Sequence, residues 1–234
     1  MEELWRVIQS MRRAADEAGV SLVTGDTEVV DRGKGDRIFV NTSGVGIVRE
    51  EVDILPGRAA AGDRIIVGGQ IAVHGIAIMS VREGLEFETE IASDTAPLNG
   101  LVEAILEAGP GGDVHVLRDP TRGGVTSVLS EIAETAQVGI RIDEARIPIS
   151  KEVKGACAIL GLDPLCVANE GIAVVAGEAA EAILAAMRAH RLGRDAAIIG
   201  EVVADHPGMM TMKTRVGGTR VADMLSGKQL PRIC

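Results

Sequence analysis

Apolar positions recur along this chain with two different periods, and the switch between them divides it into segments. Leu4, Val7, Ile8, Met11, Ala15 and Ala18 share one face at helical spacing, and Gly19 follows where a helix C-terminus favours glycine. The pattern predicts an amphipathic helix at the start. Val20 to Thr24 then reads as a short apolar strand, followed by a polar loop and a second strand pattern from Arg37 to Val48. One helix and two strands cannot cover both faces of a sheet, so residues 1–55 are expected to be the remainder of a larger domain or an addition to the next one.

After Leu55-Pro56-Gly57 the rhythm alternates between short apolar runs and helical periods. Strands are expected at Asp63–Val67, Asp113–Leu117, Gly139–Asp143, Ile172–Val175, Ala196–Val203 and Met209–Thr214. Helices are expected at Gln70–Ser80, at Pro97–Ala108 behind the capping candidates Ser93 and Asp94, near Gly123–Thr135, near Glu152–Leu160 and at Ala179–His190. Residues 58–226 therefore read as one α/β domain of the α+β kind. The last residues, 227–234, are too short for an element and carry Pro231, so they read as a flexible tail.

Composition narrows the function. The 234 residues amount to about one and a half domains at roughly 150 residues each. Lys and Arg number 24 against 34 Asp and Glu, a net charge of -10, with no basic block to follow a phosphate backbone. Nucleic acid is excluded as a partner on that ground. Trp5, Phe39 and Phe87 are the only aromatics, so the core must be built from Ala, Val, Ile, Leu and Met. No apolar run reaches the length of a membrane span and the charged start is no signal peptide, which predicts a cytoplasmic protein without a membrane partner. Cys157, Cys166 and Cys234 are odd in number and lack metal-ligand spacing.

Four clusters could carry chemistry. Gly25-Asp26-Thr27 follows a predicted strand and offers a carboxylate and a hydroxyl to a hard cation such as Mg2+, with a self-satisfied Asp turn as the alternative. Asp119-Pro120-Thr121-Arg122-Gly123-Gly124 leads into a helix, whose free N–H groups and nearby arginine suit a phosphate, although Asp119 or Thr121 could simply cap that helix. Asn169-Glu170 enters an apolar strand, where burial could tune a glutamate to exchange protons. Pro231-Arg232-Ile233-Cys234 puts a thiol at the end of an arm, where Arg232 favours its ionisation and the terminal carboxylate opposes it.

These clusters together resemble the HypE family, the carbamoyl dehydratases of nickel–iron hydrogenase maturation, within the aminoimidazole ribonucleotide synthetase-like superfamily. The similarity is carried in order by TGDTEVV at 24–30, HGIAIMS at 74–80, SDTAPLNGLV at 93–102, RDPTRGGV at 118–125, GLDPLCVANEG at 161–171, GGTRVADML at 217–225 and the ending PRIC. The resemblance implies a partial N-terminal sheet domain for ATP and dimerisation at 1–55, a complete α/β domain at 58–226 and a carrier cysteine, Cys234. It implies that HypF carbamoylates Cys234, that ATP with Mg2+ drives dehydration of the S-carboxamide to a thiocyanate, and that the cyanide passes to iron on a HypC–HypD complex. Gly25, Asp26, Thr27, Asp119, Thr121, Arg122, Gly123, Gly124 and Asn169 are then the expected nucleotide contacts, with Asp26 the metal ligand.

The sequence also departs from the family pattern. Members carry a further segment ahead of this chain's first helix, and its acidic motifs hold magnesium and ATP. The lysine that usually follows GDT is Glu28 here, which leaves Glu28 and Glu170 as the proton-handling candidates. Val73 stands where the family reads an acid before His-Gly, and Ile172 where a lysine is frequent. Three readings stay open: an ATP-dependent dehydratase, a shortened member that docks to maturation partners and carries the carbamoyl group without ATP turnover, or a different enzyme of the superfamily such as a phosphate-transferring synthetase, which would leave the PRIC ending without a use.

Overall fold

The computed structural model describes residues 1–35, 37–84 and 91–222. The expected tail 227–234 with Cys234, and residues 223–226 of the expected second domain, lie outside the described residues. The chain divides into two compact units, Met1–Glu50 and Glu51–Cys234.

In the first unit, helix α1 (Glu2–Ala18) ends at Gly19, whose φ of 66° closes the last turn as its position suggested. Most of the predicted apolar face is there: Leu4, Val7, Met11, Ala15 and Ala18 are half-buried, whereas Ile8 of that face is 44% exposed and Trp5, off it, is 62% exposed. The expected strands at Val20–Thr24 and Arg37–Val48 do not form among the described residues. A strand exists only as part of a hydrogen-bonded ladder, and neither segment finds a ladder partner there. Val45 and Ile47 accordingly stay fully exposed.

The second unit is a seven-stranded sheet in the order β2-β4-β1-β5-β3-β6-β7. Its strands are β1 (Arg64–Val67), β2 (Val114–Arg118), β3 (Gly139–Asp143), β4 (Ala173–Ala176), β5 (Ala197–Val203), β6 (Met210–Lys213) and β7 (Thr219–Val221). Its helices are α2 (Val73–Glu83), α3 (Asn99–Ala108), α4 (Gly124–Ala136), α5 (Lys151–Leu160) and α6 (Ala180–Ala189). Every predicted element after residue 58 is present. Thr219–Val221 was not expected, because its three exposed residues carry no apolar period. All pairs are antiparallel except β3 with β6.

Strand alternation sorts the core onto the two sheet faces. Ile65, Val67 and Val175 pack with Val125, Leu129 and Ile132 of α4, whereas Ile66, Val174 and Ala176 pack with Leu101 and Ile105 of α3 and Ile183 and Met187 of α6. No aromatic contributes to the core of the described residues. A third cluster joins α2 to α5 through Ile76, Val153, Cys157 and Val167.

Register places the loops that matter. Val67 and Arg118, the last residues of β1 and β2, both face Ala173, the first of β4. The segments leaving β1 and β2 therefore meet the segment entering β4 at one edge of the sheet, where the Asp119–Gly124 and Asn169–Glu170 clusters lie.

Candidate active site

Asn169 and Glu170 sit on the turn that feeds β4, and the surrounding elements hold that turn from three sides. The Asn169 amide is buried: its Oδ1 accepts from the Ala72 N–H, and its Nδ2 donates to the Val167 carbonyl at 3.1 Å. Its backbone N–H donates to the Pro120 carbonyl at 3.1 Å, and Thr121 Oγ1 lies 3.1 Å from both the Asn169 carbonyl and Asp119 Oδ2. The two loops read separately from the sequence are thus one hydrogen-bonded unit. Asn169, expected as a nucleotide contact, gives both ends of its buried side chain to this framework. Part of its work is to hold Ala72, which adopts φ 67° at the start of α2, a conformation that costs a residue with a Cβ about 1–2 kcal/mol.

Two glycines let the helices close on the turn. A Cβ on Gly75 in α2 would strike the Val167 side chain, and Gly75 donates its N–H to the Ala168 carbonyl at 3.0 Å. A Cβ on Gly124 would strike the Leu165 carbonyl oxygen and lie 2.7 Å from that of Val167.

Glu170 is partly exposed, with its carboxylate 3.7 Å from His74 Nε2. The other ring nitrogen, Nδ1, is 2.8 Å from Ser93 Oγ, and Ser93 Oγ is 2.7 Å from Thr95 Oγ1. Asp94 Oδ2 accepts the Glu170 backbone N–H at 3.1 Å. Burial pushes the Asp94 carboxyl above the usual range, opposed by its backbone hydrogen bonds and by His74, and its Oδ1 is buried without a hydrogen-bond partner. Ser93 and Asp94, expected as helix caps, do not cap: α3 begins behind Leu98 without a side-chain cap. They serve Glu170 and His74 instead.

Helix α4 also starts without a side-chain cap, behind Gly123 in the left-handed region at φ 74°. Asp119 and Arg122 are exposed beside that start, so the capping alternative fails and a helix N-terminus with its donors uncapped by side chains remains. Beyond the Glu170 turn opens a cavity of about 480 Å³ walled by Asp94, Pro120, Asn169, Gly171, Arg191 and Arg194. Sequence reasoning missed the arginines, which lie on an otherwise ordinary loop after α6. It saw His74 only as part of a motif, and Ser93 and Asp94 as helix caps and motif members.

Gly25, Asp26, Thr27 and Glu28 belong to the first unit and are exposed. Asp26 Oδ1 accepts the Thr27 N–H at 2.7 Å, the self-satisfied turn the sequence allowed. Among the described residues no group of three or more His, Cys, Asp or Glu gathers to hold a metal ion. Nor is any described helix long and apolar enough to cross a membrane.

Comparison with known proteins agrees with this architecture. The C-terminal domain of AIR synthase related proteins matches residues 60–213, and the N-terminal domain matches residues 1–48. The carbamoyl dehydratase HypE of Rhizobium leguminosarum bv. viciae is 53% identical over 234 residues, covering 99% of this chain and 67% of that protein. The Escherichia coli (strain K12) carbamoyl dehydratase HypE is 43% identical over 236 residues, covering 100% of this chain and 69% of that protein. Among solved structures, HypE in a HypE–HypF complex superposes with a TM-score of 0.91 at 46% identity, covering 96% of this chain and 73% of that one. HypE in complex with ATP superposes with a TM-score of 0.87 at 41% identity, covering 100% of this chain and 71% of that one. With relatives of this identity matched along nearly all of its length, the chain belongs to the HypE carbamoyl dehydratase family.

Proposed function

We propose that this chain carries a carbamoyl group on Cys234 and dehydrates it to a thiocyanate at the expense of ATP, in the cytoplasm, supplying cyanide for the iron of a hydrogenase. The observation that carries the reading is the Asn169–Glu170 turn, its main chain held by Asp94 and by the Asp119–Thr121 loop and its carboxylate 3.7 Å from His74 Nε2, joined through that loop to the uncapped N-terminus of α4. A proton acceptor and an anion site share one edge of the sheet. HypF is the proposed carbamoyl donor, since a relative crystallised in complex with HypF. A HypC–HypD complex is the proposed cyanide acceptor, and a homodimer the proposed assembly.

In the overall step the S-carboxamide oxygen leaves on phosphate, its two N–H protons pass to base and solvent, and a C≡N bond replaces C=O and C–NH2. ATP, when bound, supplies the phosphoryl group that makes this oxygen a leaving group. The chain supplies the rest. Cys234 holds the carbon, and Glu170 accepts an amide proton. The N–H groups of Gly124 and the following residues, with Arg122, offset phosphate charge while Thr121 and Asp119 fix the loop that presents them. The uncapped helix start and the exposed arginine fit a polyphosphate. Asp26, a single carboxylate in the first unit with Thr27 and Gly25 beside it, is the proposed magnesium ligand, and such an ion would keep most of its waters.

Glu28 favours the second reading, a carrier without turnover. A carboxylate in place of the family's lysine repels a polyphosphate and cannot replace a cation's role. Mass spectrometry of the C-terminal peptide after incubation with HypF, carbamoyl phosphate and Mg-ATP separates the two. The dehydratase reading expects a carbamoyl adduct followed by a species lighter by one water, arrest at the adduct in Glu170→Gln, faster conversion in Glu28→Lys and no adduct in Cys234→Ala. An adduct that never loses water in either the unaltered chain or Glu28→Lys would establish the carrier.

A further inference from the structure

The cavity beyond the Glu170 turn shares its walls with two further grooves of the second unit. Gln70, Arg194 and Asp195 line it and also line a groove of about 450 Å³, and Arg188 and Ala197 of that groove line another of about 560 Å³, which reaches Arg64 and Arg146. Five arginines follow this run: Arg64 from β1, Arg146 from the turn after β3, Arg188 from the last turn of α6, and Arg191 and Arg194 from the loop behind it. An exposed arginine is usually only a solvated side chain, and Arg188 has the ordinary reason of facing a helix C-terminus. What lifts the group above that default is its convergence, since three separate stretches of a chain with a net charge of -10 bring their cations to one strip.

The main chain beneath the strip is fixed. In the loop after α6, Leu192 packs on the core, Gly193 donates its N–H to the His190 carbonyl at 3.1 Å, and a Cβ on Gly193 would strike the Met187 carbonyl oxygen. Arg191 and Arg194 thus stand on a turn with no room to relax. Arg188 is steadied by its Nε, which donates to the Ala196 carbonyl at 2.8 Å. Of the carboxylates on the same walls, Asp94 accepts the Glu170 N–H and Asp195 accepts from Gln70 Nε2 at 3.1 Å, and the third is Glu181. At the far end Glu201 lies between Arg141, at 2.5 Å, and Arg64, at 3.4 Å. Its carboxyl is held below the usual range chiefly by the Arg141 hydrogen bond, with the charges of Arg141, Arg64 and Arg146 adding to the effect.

A small ligand is normally enclosed, with most of its surface buried in one pocket. Here all five arginines are exposed, and the run extends at least the length of β1, about 10 Å at ~3.3 Å per residue. That is the form of an interface, where charge steers association. We infer that the strip from Arg191 to Arg146 is a docking surface for an acidic polypeptide, a carboxylate-bearing segment of a partner protein that lies along the grooves with one end at the cavity beyond Glu170. Guanidinium forks match carboxylates in pairs, which suits such a segment. The inference does not depend on what Glu170 does.

The test uses the full chain and a fluorescein-labelled decaglutamate peptide, with binding followed by anisotropy at low and at physiological salt. Binding is expected at low salt and is expected to weaken as salt screens it. Arg146 and Arg191 make no hydrogen bond or ion pair among the described residues, so Arg146→Glu with Arg191→Glu removes no contact there, and this double variant is expected to weaken binding at least about tenfold. Lys151→Glu with Lys154→Glu makes an equal charge change on α5, which lines none of the three grooves, and is expected to leave binding unchanged. Far-UV circular dichroism checks that both variants are folded. No binding at low salt, no loss in the arginine variant, or an equal loss in the lysine variant overturns the strip as a docking surface. Displacement of the peptide by equimolar Mg-ATP, or tighter binding of a single-stranded oligonucleotide of the same charge, overturns the assignment to a polypeptide.

Discussion

Replacing Gly124 by alanine tests the claim that α4 is closed against the Leu165–Val167 segment so tightly that only a hydrogen fits. Gly124 has φ 65°, where a side chain costs about 1–2 kcal/mol. Gly161, the C-cap of α5, has φ 67° but nothing within 4 Å of a would-be Cβ, so Gly161→Ala carries that backbone cost alone. At Gly124 the added methyl would strike the Leu165 carbonyl oxygen and lie 2.7 Å from the Val167 oxygen and 2.8 Å from the Cys166 carbonyl carbon. These are main-chain atoms with no rotamer to change, and forcing a methyl into such packing costs a further ~1–3 kcal/mol. Gly124→Ala should therefore destabilise by about 2–5 kcal/mol and Gly161→Ala by about 1–2. The single tryptophan, Trp5, reports on the first unit, so unfolding must be followed by far-UV circular dichroism in denaturant, comparing midpoints at constant slope. Losses for the two variants that agree within about 0.5 kcal/mol, a usual limit of resolution, would refute the close approach.

Further expectations follow from other parts of the molecule. Asn169→Ala removes the acceptor for the Ala72 N–H and the donor to Val167 O in a buried site and should cost roughly 2–4 kcal/mol, read from the same denaturation curves. Burial pushes the Cys157 thiol up to about 11 and also raises Cys166, so near neutral pH a thiol reagent should modify those two slowly in the folded chain and quickly once it is denatured; fast modification of both in the folded chain would contradict it. The Arg141 hydrogen bond holds the Glu201 carboxyl below its usual range, so Glu201 adds stability above the ordinary carboxylate range that is lost as pH falls through its lowered folded value. Glu201→Gln should flatten the acid limb of the stability curve. The exposed apolar side chains of the first unit should bind an apolar dye and drive concentration-dependent association, and a clean monomer by light scattering with no dye signal would count against this.

The second unit was legible in the sequence because its signals agree at each level. Strand Gly139–Asp143 alternates the apolar Ile140 and Ile142 with the polar Arg141 and Asp143, and the structure buries the apolar pair. The first unit was legible only as a helix. Apolar runs such as Val20–Thr24 carry strand propensity, but propensity makes no ladder, and the pairing that decides a strand is not written within the run itself. At the site, residue types were readable and their partners were not. Asp119 and Asn169 stood out as motif members, yet the link between their loops is a backbone bond from Asn169 to Pro120, made by a carbonyl that every residue possesses.

The misread caps show what a single sequence hides. A Ser-Asp-Thr run ahead of an apolar helical period has the signature of a helix start, since short polar side chains satisfy free N–H groups there. The same chemistry serves any unsatisfied N–H nearby. In this fold the free donor belongs to Glu170, brought from 76 residues away to Asp94 Oδ2, while the hydroxyl of Ser93 turns to His74. The contact that settles the competition is tertiary, between the turn before β4 and the loop before α3. Helix α3 consequently starts without a side-chain cap, and polar groups that could have steadied it support the site instead. If that trade holds, restoring a cap at Leu98 with Leu98→Asp should gain up to ~1 kcal/mol at the helix end, less the cost of the half-buried leucine, which packs on the core and lines the cavity. Ser93→Ala should leave stability nearly unchanged and lower kcat, and loss of stability in Ser93→Ala with unaltered kcat would return Ser93 to an ordinary structural role.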